Sequence, residues 1–524
     1  MSNALSIIRS LIIYGLCLPL AIFLGYLLAM PMDVISFTIV VMTLFLPLVP
    51  AILQWHHFLL IVSWNMSMVL FFLPGRPMLW IVLTAVSFLL SVLQQILQRG
   101  SKFIYVSSVA RPLILLTIVI LITARLTGGI GIRSLGGEAY GGKRYILLLA
   151  AIIGFFAISC HAAPPGRGML YLALYFLSGV SMFTASMAGF VDPSFYFVFT
   201  LFPVESVQAL FGGGGSDSAS GLSRLAGLSH ACMAVILCMV AVHGLRGFFS
   251  LGEGLRFMPF RFRGGFAVNH PWRLIIFVLA VWVNFLGGYR SSVIMLGLLL
   301  LFQFYLEGLF RTHFMPILAI LLFLLGIATA SMADRLPLNI QRSLSFLPIR
   351  IDPVARYSAE ASNEWRLQLW RSVLPSVPQY LLLGKGYSIA PSDQVMLTAP
   401  GAGTEGAIVA GDLHNGPLTV IIPLGIFGVI GFLWFLWASY RVLLDNWRHG
   451  DPELRYVNTF VLAYFLTRLA FFLTIFGSFH HELSAFTGLV AMSICVNGGV
   501  RKPAPAPVLA RPVFSQFKLA RAAR

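Results

Sequence analysis

Apolar runs of about 20 residues, long enough to cross a bilayer, recur along most of the chain with short polar breaks between them. Such a chain has little polar surface to offer water. Of its 524 residues 58% are hydrophobic and 10% charged, against about 25% charged in soluble proteins. Lipid is the solvent that accommodates this composition. The expected fold class is all-α: a polytopic transmembrane helical bundle of about 14 spans, with a large extracytoplasmic loop bearing short helices. Spans are expected near 10–30, 34–53, 57–74, 78–97, 110–129, 145–162, 168–189, 226–246, 272–289, 292–310, 313–331, 417–440, 456–476 and 482–498. The first run, behind Arg9, resembles a signal sequence but is long enough to span, so it is read as a retained helix.

The formal net charge is +17. On a soluble protein that would point to nucleic acid. Here the cations fall at the ends of apolar runs, as the positive-inside bias requires, so no nucleic-acid partner is expected. One set of breaks holds Arg9, Arg99, Lys102, Arg111, Arg167, Arg246, Arg256, Arg261, Arg263, Arg273, Arg311, Arg441, Arg448 and Arg455, and the tail adds Arg501 and Lys502. An even span count puts all of these, and both termini, on the cytoplasmic side. The five cysteines lie in apolar runs at no metal or redox spacing and read as small buried hydrophobes.

Six regions follow: N-terminal transmembrane helices over 1–189, an extracytoplasmic re-entrant or linker segment over 190–225, central helices over 226–331, an extracytoplasmic loop over 332–416, C-terminal helices over 417–498, and a proline-rich disordered cytoplasmic tail over 499–524 that can touch anionic lipid. The apolar run 194–204 is too short to span. The loop 332–416 holds Arg335, Arg342, Arg350, Arg356, Arg366, Arg371 and Lys385, seven cations on the side that ordinarily has few. Within it, Ser362-Asn363-Glu364 reads as a helix start, 364–374 as an amphipathic helix, and Pro375 and Pro378 as its stop. Arg366 and Trp370, four apart, share a face.

Four features gather at the outer ends of the spans. They are Gly287-Gly288-Tyr289-Arg290-Ser291-Ser292, Arg366 with Trp370, Gly384-Lys385-Gly386, and Asp412-Leu413-His414-Asn415-Gly416-Pro417 ahead of Gly425-Ile426-Phe427-Gly428. In that order they resemble the O-antigen ligase and lipid-linked glycan polymerase superfamily, over about 280–440. The resemblance implies a glycosyltransferase at the bacterial cytoplasmic (inner) membrane with its active site facing the periplasm. The donor would be a glycan on undecaprenyl pyrophosphate. The acceptor would be a hydroxyl of lipid A–core in a ligase, or of another lipid-linked repeat unit in a polymerase.

The residue types suit that chemistry in their own right. A departing pyrophosphate develops negative charge that two guanidiniums can clamp through charge-assisted hydrogen bonds. Arg290 and Arg366 are the candidates, with Lys385 as a third cation. An imidazole, which ordinarily titrates near neutrality, suits the base that an acceptor hydroxyl needs, and His414 fills that place. Asn415 can cap the helix that follows, whose positive end would face the phosphates. Tyr289 stands beside Arg290, and Arg468 lies inside an apolar run, where a charge marks function by default. No cofactor is expected, and no set of metal ligands stands beside these residues, so the reaction is expected to be metal-independent.

Taken singly, His414-Asn415 reads as a helix cap, Arg290 as a snorkelling residue, Arg366 as a solvated helix residue, and Lys385 as a turn residue. The ordered set favours the catalytic reading. A transporter or flippase for lipid-linked glycan is the alternative, but it would be expected to show internal repeats and mid-membrane charges. A scaffold of a surface-polysaccharide pathway is a third.

Overall fold

The structure is a computed structural model and describes residue 25 and residues 49–73, 75–97, 103–128, 142–188, 190–204, 225–248, 271–312, 314–389, 393 and 403–502. The expected span 10–30, most of 34–53, the glycine-rich stretch 212–215 and the tail beyond 502 lie outside them.

Among the described residues the architecture is helical, with one isolated β-bridge between Val69 and Met78. The main helices are α1 (Val49–Ser63), α2 (Leu79–Leu97), α3 (Ser107–Thr127), α4 (Gly142–Ser159), α5 (Gly168–Leu177), α6 (Ala226–His243), α7 (Pro271–Leu286), α8 (Arg290–Leu306), α9 (Phe314–Met332), α10 (Leu338–Ser343), α11 (Pro353–Val373), α12 (Gly403–Ala410), α13 (Gly416–His449), α14 (Arg455–Thr474) and α15 (Phe479–Asn497). Among the described residues eight helices are long and apolar enough to cross a membrane, and shorter apolar helices cover Ile52–Ser63, Trp272–Leu286 and Arg290–Leu306. The chain is a multi-pass membrane protein.

Helix α15 is the axis of the bundle. Every residue from 486 to 497 is buried, with α4, α13, α14 and α5 packed around it. Small residues let the helices approach: Gly488 faces Trp64 and Tyr175 so closely that a Cβ there would collide with them. At the periphery α7 exposes Ile275, Val278, Leu279 and Trp282, and α9 exposes Leu322, Phe323 and Leu325. Such continuous apolar faces suit acyl chains rather than water.

Two helix boundaries shift from the sequence expectation, and the short segment 194–204 takes a defined form. The span expected over 57–74 is instead a helix over Val49–Ser63 that runs straight through Gln54 to His57. Its imidazoles are satisfied inside the bundle, His56 Nδ1 by Ser87 Oγ at 2.9 Å and His57 Nε2 by the Ile158 carbonyl at 2.9 Å, so they do not end it. The segment 194–204 forms two short turns, Pro193–Phe195 and Val198–Leu201. It exposes Phe195, Tyr196 and Phe197, a set suited to a membrane interface. Helix α11 begins ten residues before the expected start, because Asp352 caps it by accepting from the Val354 amide at 2.8 Å and Pro353 occupies the first turn. It ends at Val373, ahead of Pro375, as the prolines predict.

Candidate active site

Helix α11 is the scaffold on which the chemistry-bearing residues meet. Arg290 opens α8 two residues after Gly288, whose φ of 77° makes the tight turn that follows α7. Its guanidinium donates to the Ala359 carbonyl and to Asn363 Oδ1 of α11, both at 3.0 Å. Buried Arg342 holds the turn itself. It donates from Nη1 to the Gly288 carbonyl at 2.5 Å and from Nε to Ser358 Oγ at 2.8 Å. One turn beyond Asn363, Arg366 lies over the ring of Phe476, 5.9 Å from its centroid. The same Phe476 ring stands edge-on to His414 at 5.1 Å, and Trp365 also meets the His414 ring edge-on at 5.1 Å. Trp370 Nε1 donates to the Leu413 carbonyl at 2.9 Å and so fixes the residue before His414. The structure therefore brings Arg290, Arg366 and His414 onto one stretch of α11.

His414 is buried and adopts φ of 51°. A non-glycine residue in the left-handed region costs of order 1–3 kcal/mol and tends to mark a functional position. Its Nδ1 lies 3.2 Å from the Asp412 carbonyl and 3.3 Å from Asp412 Oδ1. With Nδ1–H given to Asp412, Nε2 is left as the basic nitrogen. Asn415 caps α13 by accepting from the Leu418 amide at 3.1 Å, which places the positive end of that helix beside His414.

The Gly384-Lys385-Gly386 turn has an architectural task that its sequence does not announce. Helix α13 breaks at Gly425, whose φ is 64°. The loop docks in that break. The Lys385 amide donates to the Ile422 carbonyl at 2.7 Å, the Gly386 amide to the Pro423 carbonyl at 3.0 Å, and the Ile426 amide to the Leu381 carbonyl at 2.7 Å. These bonds satisfy the groups that the break leaves without helical partners. A Cβ on Gly384 would collide with the Pro423 carbonyl, and one on Gly386 with Thr127.

Lys385 lines a cavity of about 180 Å³ together with Arg144 from the start of α4, Tyr387, Ser372 of α11 and Ser376 just beyond it. Arg144 lies over the Tyr387 ring at 5.8 Å. Burial pushes the Tyr387 phenol above its ordinary range, with Arg144 pulling the other way, so it is a neutral hydroxyl.

Tyr289 is the residue before α8, and its ring lies 6.4 Å from that of His230. Arg468 is held within the bundle by Glu482 of α15, with Nε–Oε2 at 3.1 Å and Nη2 to both carboxylate oxygens at 2.8 Å, and it donates to the Tyr464 hydroxyl at 2.9 Å. The charge inside the apolar run is thereby explained by a carboxylate partner. Among the described residues no three His, Cys, Asp or Glu side chains gather as a metal-ion site.

Arg290, Arg366 and His414 all fall within the segment 275–433, which matches the family model described as O-Antigen ligase. Over that segment the chain is similar to the O-antigen ligase family. The match covers under a third of the 524 residues, and its limits enclose α8 to α12 and the first half of α13. No curated protein matches the chain. The match places it with the membrane glycan ligases and polymerases.

Several residues of the site are not legible from residue type and spacing. Arg342 is one of seven loop cations until its burial shows it as a brace. Asp412 is a polar neighbour of His414 until its carboxylate is seen on Nδ1. Arg144 comes from the far N-terminal half, and no local signal joins it to Lys385.

Proposed function

We propose that the protein is a membrane glycosyltransferase that moves a glycan from undecaprenyl pyrophosphate to a hydroxyl of a lipid-anchored acceptor, of the O-antigen ligase or surface-polysaccharide polymerase type. The observation that carries this reading is the meeting of two arginines and an Asp412-oriented imidazole on α11, inside the segment similar to the O-antigen ligase family. Arg290 and Arg366 bind the donor's diphosphate. His414 Nε2 accepts the proton of the acceptor hydroxyl as its oxygen attacks the anomeric carbon. The bond from that carbon to the diphosphate oxygen breaks, and its electron pair leaves with the undecaprenyl pyrophosphate. The guanidiniums are strongest against the charge that grows on that oxygen, which lowers the barrier rather than merely tightening binding. The positive end of α13, capped by Asn415, adds to the same field.

The aromatic walls supply the rest. Trp365 and Phe476 meet the imidazole edge-on and help keep it buried from water, which strengthens the electrostatics and disfavours hydrolysis of the donor. The reaction runs without a metal ion, the guanidiniums neutralising the diphosphate. The catalytic face is periplasmic, the side on which the donor's diphosphate lies in the outer leaflet. In this reading Tyr289 lines the donor path beside Arg290, and Arg468 acts through its bond to Glu482.

Production of glycan in a deletion strain tests the assignment. Arg290→Gln and Arg366→Gln are each expected to lower ligated or polymerised glycan about 100-fold or more at unchanged membrane level. Wild-type glycan from either variant would overturn the clamp. Loss of in vitro activity on adding chelator would overturn the metal-free reaction.

A further inference from the structure

We infer that Leu381, Leu382 and Leu383, in the loop that the sequence places outside the bilayer, are inserted among the acyl chains of the leaflet on the catalytic side. The partner surface is lipid, and the insertion holds the turn 384–386 at a fixed depth in it. The inference goes beyond the transferase reading and does not need it.

Two spans measure that depth. Helix α3 runs from Ser107 to Thr127, 21 residues, or about 31 Å at a rise of about 1.5 Å per residue. That is close to the hydrocarbon thickness of about 30 Å. The Thr123 hydroxyl donates to the Leu383 carbonyl at 3.5 Å, and Thr123 stands one helical turn before the end of α3. The leucines therefore lie about 6 Å inside the catalytic-side end of the span. Helix α13 gives the same depth from the other direction. From Gly425, where the loop docks, the next charged residue is Arg441. The roughly 16 residues between them cover about 24 Å, which leaves about 6 Å of the core on the catalytic side of the break.

The surface and the backbone both suit lipid. The three leucines are 38%, 68% and 59% exposed in chain order. They continue a face that already belongs to spans: α3, joined to the loop at Thr123, exposes Ile118, Ile122 and Leu126, and α13 beyond the break exposes Phe427 and Ile430. Acyl chains cover such a continuous apolar surface at less cost than water does. Irregular backbone is tolerated at membrane depth where protein groups satisfy it. Here the Leu381 carbonyl accepts from the Ile426 amide at 2.7 Å, and the amides of Gly384, Lys385 and Gly386 donate to the carbonyls of Tyr380, Ile422 and Pro423. Arg125, exposed in the last turn of α3, has a stem long enough to snorkel to the headgroups. The anchored loop also sets the height of the site. The stretch of α13 before the break, 416–424, supplies about 13 Å of helix. That is enough to carry His414 from within the core to the headgroup layer, where the diphosphate of a lipid-borne donor lies. This last consequence alone rests on the transferase reading.

The test is a nitroxide depth measurement on the full-length protein in nanodiscs of phosphatidylethanolamine and phosphatidylglycerol. Leu382→Cys and Leu383→Cys carry the label. Ile122→Cys of α3 is the reference at the same depth, and Glu360→Cys, exposed on α11, is the reference in water. The unsubstituted protein, with its five cysteines, supplies the background. Collision with oxygen, which concentrates among acyl chains, is compared with collision with a water-soluble nickel chelate. The oxygen-to-nickel ratio at 382 and 383 is expected to match that at 122 and to be several times that at 360. A ratio at both leucine positions equal to that at 360 puts the loop in water and overturns the inference. Low collision with both reagents marks a protein contact, such as a second copy of the chain, and overturns it as well. The melting temperature of each labelled variant identifies any that misfold. A check without substitutions uses a phospholipid with a photoreactive group within its acyl chain, cross-linked to the unsubstituted protein and mapped by mass spectrometry. Adducts are expected on the leucines, and adducts on Ile118 and Ile122 with none on the leucines would overturn the insertion. Neither readout involves glycan transfer, so failure of the anchor leaves the transferase reading standing, and loss of that reading leaves the anchor.

Discussion

The Arg468–Glu482 pair offers the most quantitative test of how the bundle holds its site. The guanidinium makes three short contacts with the carboxylate and one with Tyr464. The two side chains are 19% and 10% exposed, so water does little to screen them. Removing one partner strands a buried charge and is expected to cost about 3–5 kcal/mol. Replacing both by methionine strands none and is expected to be close to neutral, since an enclosed ion pair roughly breaks even against apolar side chains of similar size. The single variants Arg468→Met and Glu482→Met and their double should therefore show a coupling of at least about 3 kcal/mol, more than a hundredfold in equilibrium constant. The assay is a double-mutant cycle on reversible unfolding in mixed micelles of a denaturing detergent. The pair also ties α14 to α15 just below Phe476, the ring shared by Arg366 and His414. Transfer activity should fall in the singles and partly return in the double. Additive single effects, or a single cost below about 1 kcal/mol as for an exposed pair, would refute the reasoning.

Two further substitutions probe the geometry around His414. Gly425→Ala places a side chain at φ of 64° and drives its Cβ into the Leu382 carbonyl. A loss of at least about 1–2 kcal/mol from the backbone alone is expected, seen as a lower detergent-unfolding midpoint, and an unchanged midpoint would mean that the break in α13 is not locked by the loop. Asp412→Asn keeps the shape but removes the charge beside His414 Nδ1. The transfer rate is expected to drop by about 10- to 100-fold with donor affinity unchanged, and an unaltered rate would show that Asp412 does not orient the base.

What was legible in the chain was the part governed by local pattern. Runs such as 110–129 and 456–476 coincide closely with α3 and α14 because hydropathy over one span is a property of that span alone. The ordered cations and His414-Asn415 could be read for the same reason, and Asn415 does cap α13. What escaped depends on partners distant in sequence. The polar Gln54–His57 stretch suggests a break, yet Ser87 and Ile158 satisfy its histidines. Gly384 and Gly386 suggest a turn, yet their need for glycine comes from the Pro423 carbonyl and Thr127. The charge of Arg468 suggests a substrate, yet Glu482 meets it from the next helix. The start of α11 is a different failure. Asp352-Pro353 is itself a local cap signal, ten residues ahead of Ser362.

The most direct measurement is single-turnover transfer by the purified protein in liposomes, with a defined undecaprenyl-pyrophosphate glycan, an acceptor glycan, and release of undecaprenyl pyrophosphate followed in time. His414→Ala is expected to bind the donor as wild type does and to slow product formation by about 10²- to 10⁴-fold, the range for loss of a general base, with lipid pyrophosphate and joined glycan appearing in equal amounts in the wild type. Product formed by His414→Ala at the wild-type rate would contradict the assignment of the imidazole as the base.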